Sequence, residues 1–318
     1  MIERAKVAVV GVGNNISALV QGVAFYRATG SLVGIYRPVV DGLGVGDIDI
    51  VAAFAMSASK VGKDLTEAIF LPPNNFPRLD TSLPLSGVRV QQGLTDATEV
   101  DRIAKALAGA EVVLYAAPSG RPEVAQAYAE ATLRAGAAFI NTTSDVIARD
   151  PEWTQRFEAA GLPLLGDDLT SQFGTSIVHR TLLSLLEERG LTLVSTYQVN
   201  LGGTEDFRNL VENGSGKKQS KLNALSADQS TVDKVQMAPL GYLSQLKSQK
   251  VAYLNIEAQG WGETSVSLDI KLKVHDPSGA AGVTIDLLRI AASALRNGHG
   301  GYAEQAAPLL KSPPGTAH

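Results

Sequence analysis

The chain has 318 residues, enough for two domains, and 45% hydrophobic against 19% charged residues supplies a sizeable core and excludes wholesale disorder. Lys+Arg 28 against Asp+Glu 32 leaves a net charge of -4, without the basic excess that nucleic-acid or membrane-surface binding demands. The absence of cysteine excludes disulfides, thiolate catalysis and cysteine zinc sites, and His179, His275, His299 and His318 show no metal-ligand spacing.

Short β-branched runs alternate with helical patterns through the first half. Lys6–Val10 is an apolar run ending at Gly11, followed by a helical stretch from Asn15 to Ala28. Ile50–Phe54 is the next buried strand, then a helical pattern through Val61, Leu65 and Ile69. Val88–Gln91, Val112–Ala116, Phe139–Asn141 and Leu162–Gly166 repeat the theme with helix-length spacers. Alternation of this kind predicts right-handed βαβ units and a doubly wound, mostly parallel sheet of Rossmann type. After a helix over Ser176–Arg189 the pattern changes to a strand over Leu191–Leu201 and a polar segment, Gly202–Asp233. Lys250–Glu257 and Ser265–His275 alternate with period two, joined through Gly260-Trp261-Gly262, and predict a second, half-buried sheet. Gly282–Leu295 is an apolar-faced helix before a proline-rich tail. No apolar run approaches the roughly 20 residues of a bilayer span. The N-terminal apolar core is also too short, and too soon broken by glycine, for a signal peptide. A soluble, cytoplasmic α/β protein without a metal centre is the expectation.

Gly11-Val12-Gly13 follows a strand and opens a helix, where glycines let the backbone turn tightly and approach a pyrophosphate at the helix N-terminus. The third glycine of the fingerprint is replaced by Ile16, and the acid that would grip the adenosine ribose after the second strand is missing, since Ala55 stands there. The ribose is then held another way, or Ser57, Ser59 and Lys60 face a 2′-phosphate. Gly166-Asp167-Asp168 ends another strand, so one aspartate is expected to cap the next helix and the other to face the site. Lys217, Lys218 and Lys221 cluster, and the i, i+4 spacing of Lys217 and Lys221 puts them on one helix face. Such a run is either a solvated basic stripe or, within a pocket, a set of ammonium groups able to stabilise an enolate and shuttle protons.

Several segments together resemble one family: VAVVGVGNNISALVQG, FAMSASKVGKDLTEAIF, GDDLTSQFGTSIVHR, the GKKQSK run, KVAYLNIEAQGWG, AGVTIDLLRIA and LLKSPP. In this order they are similar to the short prokaryotic form of myo-inositol-1-phosphate synthase, with this chain as a divergent member. The resemblance implies a bound nicotinamide cofactor, NAD with NADP as the alternative, which borrows a hydride from C5 of a hexose 6-phosphate. Loss of a C6 proton, attack of the enolate on C1 and return of the hydride then give a carbocyclic phosphate. It implies Lys217, Lys221, Lys250 and Lys311 as catalytic lysines, with Lys221 at the proton and hydride steps and Lys217 at the aldol oxygen. It implies Asp168, Asp206 and Asp276 as active-site acids, Asp206 beside a monovalent or divalent cation, and places Ser171 and Asn209 near the substrate. The candidate cofactor contacts are Gly11, Gly13, Asn14, Asn15, Ser57, Pro118, Ser119, Asn141, Thr142, Asp168 and Ser171. Residues 1–193 with 278–318 would form the cofactor domain, and 194–277 the catalytic and oligomerisation domain of a homotetramer.

The departures are Ala55, the sequence Thr204-Glu205-Asp206 where the family has Asn-x-Asp, a shorter loop from Asp206 to Lys217, and an abbreviated segment after Gln92. They point to altered substrate choice with retained cyclisation chemistry. Glucose 6-phosphate is the default substrate, and fructose 6-phosphate, used in a specialised pathway of carbocyclic-nucleoside type, is the alternative. An ordinary NAD(P)-dependent dehydrogenase and a dinucleotide-sensing binding protein are the rival readings.

Overall fold

The computed structural model describes residues 3–96, 98–213, 225, 233–238 and 240–315. The most apolar run of the N-terminal half, Ala5–Val10, is the central strand β1, buried on both faces. Around it lie β4 (Ile48–Ala55), β5 (Val90–Gln92), β6 (Val112–Tyr115), β7 (Ala138–Asn141) and β8 (Leu164–Leu165), with β2 (Val39–Val40) and β3 (Leu43–Gly44) forming a small hairpin apart. The six-stranded parallel sheet runs β5-β4-β1-β6-β7-β8, so strand order reverses on either side of β1 and a crevice opens at the strand ends there. This is the doubly wound arrangement that the alternating pattern predicts.

The two-residue period of β1 divides the core. Val7 and Val9 face one layer, where α1 (Asn14–Thr29) contributes Leu19 and Val23. Ala8 and Val10 face the other, where α3 (Val100–Ala106), α4 (Pro122–Ala135) and α5 (Pro151–Ala159) contribute Ile103, Tyr128 and Phe157. The helical pattern expected through Val61–Ile69 condenses to one turn, α2 (Leu65–Ala68). Asp64 starts it by accepting from the Thr66 N–H, and Pro72-Pro73 stop any continuation.

After α6 (Thr175–Glu188) comes the second sheet, in which β9 (Thr192–Gly202), β12 (Gln249–Gln259) and β13 (Ser265–His275) form an antiparallel set. Short strands β10 (Val235–Met237) and β11 (Gly241–Tyr242) pair in parallel with β9. The segment 202–233, polar throughout, is not all irregular, because it contains α7 (Glu205–Asn213). Thr204 accepts from the Phe207 N–H at the start of α7, and Phe207 and Leu210, three residues apart, are both buried. Residues 214–224, and with them Lys217, Lys218 and Lys221, lie outside the described residues.

The last helix, α8 (Asp276–Arg296), starts six residues before its apolar stripe and packs on the α1 side of the parallel sheet through Leu288 and Ala291. Its early glycines allow close approach of the loop after β8: a Cβ at Gly279 would lie 2.0 Å from Ser171 Oγ, and one at Gly282 2.8 Å from Gln172 Oε1. By length and hydropathy α8 could cross a membrane, yet 67% of its apolar window is buried inside the fold, as in a core helix. Within it Arg289 is fully buried, pairs with Asp286, and donates to the carbonyls of Arg37, Pro38 and Leu43, pinning the β2–β3 hairpin to the helix.

Removing that guanidinium strands a buried carboxylate. Arg289→Met is expected to lower unfolding free energy in urea by about 3–5 kcal/mol. Adding Asp286→Leu should restore only the charge-related part, because three hairpin carbonyls stay without their donor.

Candidate active site

The ends of β1, β4 and β6 open into a cleft of about 430 Å³, closed from the other side by α6, α7 and the start of β12. At its floor Gly11 donates its N–H to Phe54 O at 2.8 Å and adopts φ +93, and a Cβ there would lie 2.5 Å from Ala116 O. Only glycine fits this turn. Gly13 then starts α1 without any side-chain cap, and nothing stands within 4 Å of where its Cβ would be. An uncapped helix N-terminus facing open space suits a pyrophosphate, so the residues present fit a dinucleotide.

Several predicted cofactor residues take other tasks. Lys60 is buried, donating to Val12 O at 2.7 Å and Asn74 Oδ1 at 2.8 Å, and burial lowers its ammonium to about 8. It braces the glycine turn and also lines the cleft beside Ser57. The Asn14 side chain accepts from the N–H groups of Asn75 and Phe76, fixing that loop, so the face it brings to the cleft is its backbone. The Asn141 side chain does not line the cleft, since its amide goes to Asp145 O and Asp167 Oδ1, and its carbonyl to Thr143. Gly11, Gly13, Asn15, Ser57, Pro118, Ser119, Thr142 and Ser171 all line it. Ser57 hydrogen-bonds Ser59 at 2.9 Å beside the buried Ala55. A cation at this end went unnoticed in the sequence: Arg121 reaches Thr95 O at 2.5 Å and Met56 Sδ at 3.6 Å. Its place after Pro118-Ser119-Gly120, at the end of a parallel strand, was the available signal.

The paired aspartates divide differently from the expectation. Asp167 is fully buried and accepts from Asn141 Nδ2 at 2.7 Å and from the N–H groups of Ile147, Ala148 and Arg149, so it caps no helix. Burial pushes its carboxyl above the ordinary value, against those hydrogen bonds. The cap of α6 is Gly174, without a side-chain bond, because the loop from Leu169 to Gly174 separates the aspartates from the helix. Asp168 accepts from Lys311 Nζ at 2.9 Å. On the adjoining wall Lys250, from β12, donates to Asp276 at 3.0 Å, from the first turn of α8. Asp206 and Asn209 line the cleft from α7, and Asn209 Nδ2 donates to Ser119 O at 3.1 Å, tying α7 to the loop after β6. Two lysine–carboxylate pairs from four separate elements therefore share one cleft with a glycine turn.

The inositol-3-phosphate synthase of Mycolicibacterium smegmatis is 40% identical over an alignment of 339 positions, gaps included, that covers 97% of this chain and 93% of that protein. The chain belongs to the myo-inositol-1-phosphate synthase family. The family model described as myo-inositol-1-phosphate synthase matches residues 174–277. That stretch of the family takes in Asp206, Lys250 and Asp276, while the glycine turn and Lys311 lie outside it. The crystal structure of Ari2 is 50% identical, with a TM-score of 0.89, covering 99% of this chain and 94% of that one. A myo-inositol-1-phosphate synthase-related protein from Thermotoga maritima shares the family fold at 24% identity and a TM-score of 0.78, over 98% of this chain and 93% of that one.

Within the family-matched stretch one buried side chain joins the second sheet to the cleft. His179 is fully buried on α6, and its ring nitrogens hydrogen-bond Thr196 at 2.7 Å and Gln198 at 2.8 Å, both on β9. Burial lowers its imidazolium from 6.5 to about 4. Between those values the unfolded chain takes up a proton that the folded one refuses, so stability falls as pH drops from 6.5 towards 4. The loss at this one group is about 3 kcal/mol. Urea unfolding across that pH range is expected to show a shallower slope in His179→Asn than in the unsubstituted protein.

Proposed function

We propose that this chain is a sugar-phosphate carbocycle synthase that uses NAD and isomerises a hexose 6-phosphate, glucose 6-phosphate by default, to an inositol phosphate. The observation that carries this reading is the convergence of Lys250–Asp276 and Lys311–Asp168 on the cleft that also holds the uncapped glycine turn. A simple alcohol dehydrogenase needs no such set of ammonium groups. An enolisation followed by an intramolecular aldol closure does, because each step places negative charge on a sugar oxygen beside a dianionic phosphate.

Gly11, Gly13 and the α1 N-terminus would hold the pyrophosphate, with Ser57 and Arg121 near the adenosine end, where NADP is the alternative to NAD. When bound, the nicotinamide supplies the acceptor, and later the donor, of one hydride at C5. Lys250 and Lys311 bind the phosphate and neutralise the oxyanions, and Asp276 and Asp168 fix where those ammonium groups stand. Lys221 serves the proton and hydride steps at C5 and Lys217 the aldol oxygen, roles carried by the family resemblance alone. Asp206 is the candidate for a cation. Among the described residues no group of three His, Asp or Glu stands close enough to form a metal centre.

Residues 1–193 with 278–318 would act as the cofactor domain and 194–277 as the catalytic one, in a cytoplasmic homotetramer. Exposure of Tyr197 and Tyr253, which share a face of the second sheet, supports burial of that face against another copy. Fructose 6-phosphate is a second reading, favoured by Thr204. This residue is buried on the cleft wall and caps α7 where the family carries an asparagine, so the polar group offered to the sugar differs.

The decisive measurement is phosphorus and carbon NMR of products after incubation with NAD and each hexose 6-phosphate separately. A carbocyclic phosphate formed without net reduced nicotinamide is expected, whereas net reduction without ring closure would establish the dehydrogenase. Lys250→Ala, Lys311→Ala and Lys221→Ala should each lower kcat by about 10²–10³-fold while leaving NAD affinity unchanged. A turnover within a few-fold of the unsubstituted enzyme would remove that lysine from the mechanism.

A further inference from the structure

Five buried polar side chains run in one line from the second sheet into the cleft. Thr196 Oγ1 donates to the backbone carbonyl of Asn255 at 2.5 Å. His179 Nε2 lies 2.7 Å from Thr196 Oγ1, and His179 Nδ1 lies 2.8 Å from Gln198 Nε2. Asn200 Nδ2 then meets Gln198 Oε1 at 3.3 Å, and Thr175 Oγ1 meets Asn200 Oδ1 at 3.1 Å. None of the five is more than 2% exposed, and only Asn200 and Thr175 line the cleft.

The direction of this line is set at its far end. A backbone carbonyl can only accept, so the Thr196 hydroxyl proton is committed to Asn255 and its oxygen must accept from His179. His179 therefore carries its proton on Nε2, and Nδ1 of the neutral ring can only accept. That forces Gln198 to turn its amide N–H toward the ring and its carbonyl toward Asn200. Asn200 must in turn present its amide N–H to Gln198, leaving its carbonyl for the Thr175 hydroxyl. Neither amide nor the ring tautomer can flip without leaving a buried donor facing a donor or an acceptor facing an acceptor, a cost of about 1–3 kcal/mol. Burial holds the ring neutral at physiological pH, which the relay requires.

We infer that His179 is a positioning residue that fixes the Asn200 amide, so that its remaining N–H is a hydrogen-bond donor to an oxygen of the sugar phosphate. Asn200 lies on β9 two residues from Gly202, the cross-strand partner of Lys250, and opposite Ala252. Its amide thus stands on the same sheet face as the lysine proposed to hold the substrate, at the sugar end of the cleft. A neutral amide donor there discriminates among oxygens that ammonium groups attract indiscriminately. The inference rests on the sugar-phosphate reading for its ligand, while the relay itself stands on the hydrogen bonds alone.

Two measurements test it. Nitrogen-15 NMR of the histidine side chains, on the full chain at neutral pH, is expected to show His179 as the Nε2–H tautomer. The Nδ1–H tautomer or an imidazolium would overturn the relay whatever the activity. The second is the KM for glucose 6-phosphate in two variants that each keep half of the imidazole. His179→Asn retains an acceptor where Nδ1 stood, and His179→Gln retains a donor where Nε2 stood. His179→Asn should stay within about twofold of the unsubstituted KM, whereas His179→Gln should raise it about five- to tenfold, at similar Tm losses and unchanged NAD affinity. Equal KM changes in both variants, or changes that follow Tm alone, would reduce His179 to a structural role. If the unsubstituted enzyme turns over neither hexose phosphate, the sugar-phosphate reading and the substrate arm of this inference fail together. The tautomer result then still decides whether the relay exists.

Discussion

At the end of β8 the carboxylate of Asp167 is taken wholly out of water, and much of the cleft is organised by what that burial requires. A buried carboxylate needs donors on every side, and here they come from Asn141, from three consecutive backbone N–H groups at 147–149 and from the Arg149 side chain. Those donors draw the loop after β7 across the strand ends. The same residue exchanges backbone hydrogen bonds with Ser312, at 2.8 and 3.1 Å, so the C-terminal segment is stitched against the sheet at this point. Asp168, one residue on, is also buried but lines the cleft, where it meets the lysine that the stitch delivers. One fully desolvated acid thus locates a second buried one, which lines the cleft, and through it an ammonium group contributed from 143 residues away.

The second lysine reaches the cleft by a different route. Lys250 is the second residue of β12, and its partner Asp276 follows directly on β13, which pairs with β12 along its whole length. The antiparallel register brings them together: Gln249 stands opposite His275, so the pair sits where the two strands end and α8 begins. The two cations therefore share no common scaffold. Lys311 is referenced to the parallel sheet and Lys250 to the antiparallel one, and α7, tethered by Asn209 to the loop after β6, bridges between them. Both ammonium groups are held by short, charge-assisted contacts, which fix their positions before any ligand arrives.

The fold was largely legible in the chain because its signals are local. Buried parallel strands such as Val112–Tyr115 are short unbroken apolar runs, and β13 alternates cleanly enough for both its ends to be placed. α7 escaped because only Phe207 and Leu210 mark its buried side amid polar residues, and its cap is a single threonine. In the cleft the glycine turn, Asp168, Lys250 and Lys311 could be named from motif and resemblance. The tasks of Lys60, Asn14 and Asn141 could not, since each depends on a partner far along the chain: Val12, Phe76 and Asp167. The same holds for His179, which as an isolated histidine on a helix gives no hint of Thr196 and Gln198 on the strand beside it. Hydrogen-bond direction is a property of the assembled network and leaves no periodicity to read.

α8 touches the cleft at one end and the start of the parallel sheet at the other. Its 21 residues span about 30 Å. Asp276 opens it beside Lys250, while Arg296 closes it by grasping Glu111 and the backbone of Glu3 and Arg4, just ahead of β1. Seated glycines and a buried arginine keep the rod from sliding or rolling between those ends. The helix therefore works as a ruler: it sets the spacing between the carboxylate at its tip, which holds Lys250, and the strand that ends in the glycine turn. Errors in either sheet are referred to one stiff object instead of accumulating through loops. The separation between the two ends of the cleft is held by core packing remote from the cleft itself.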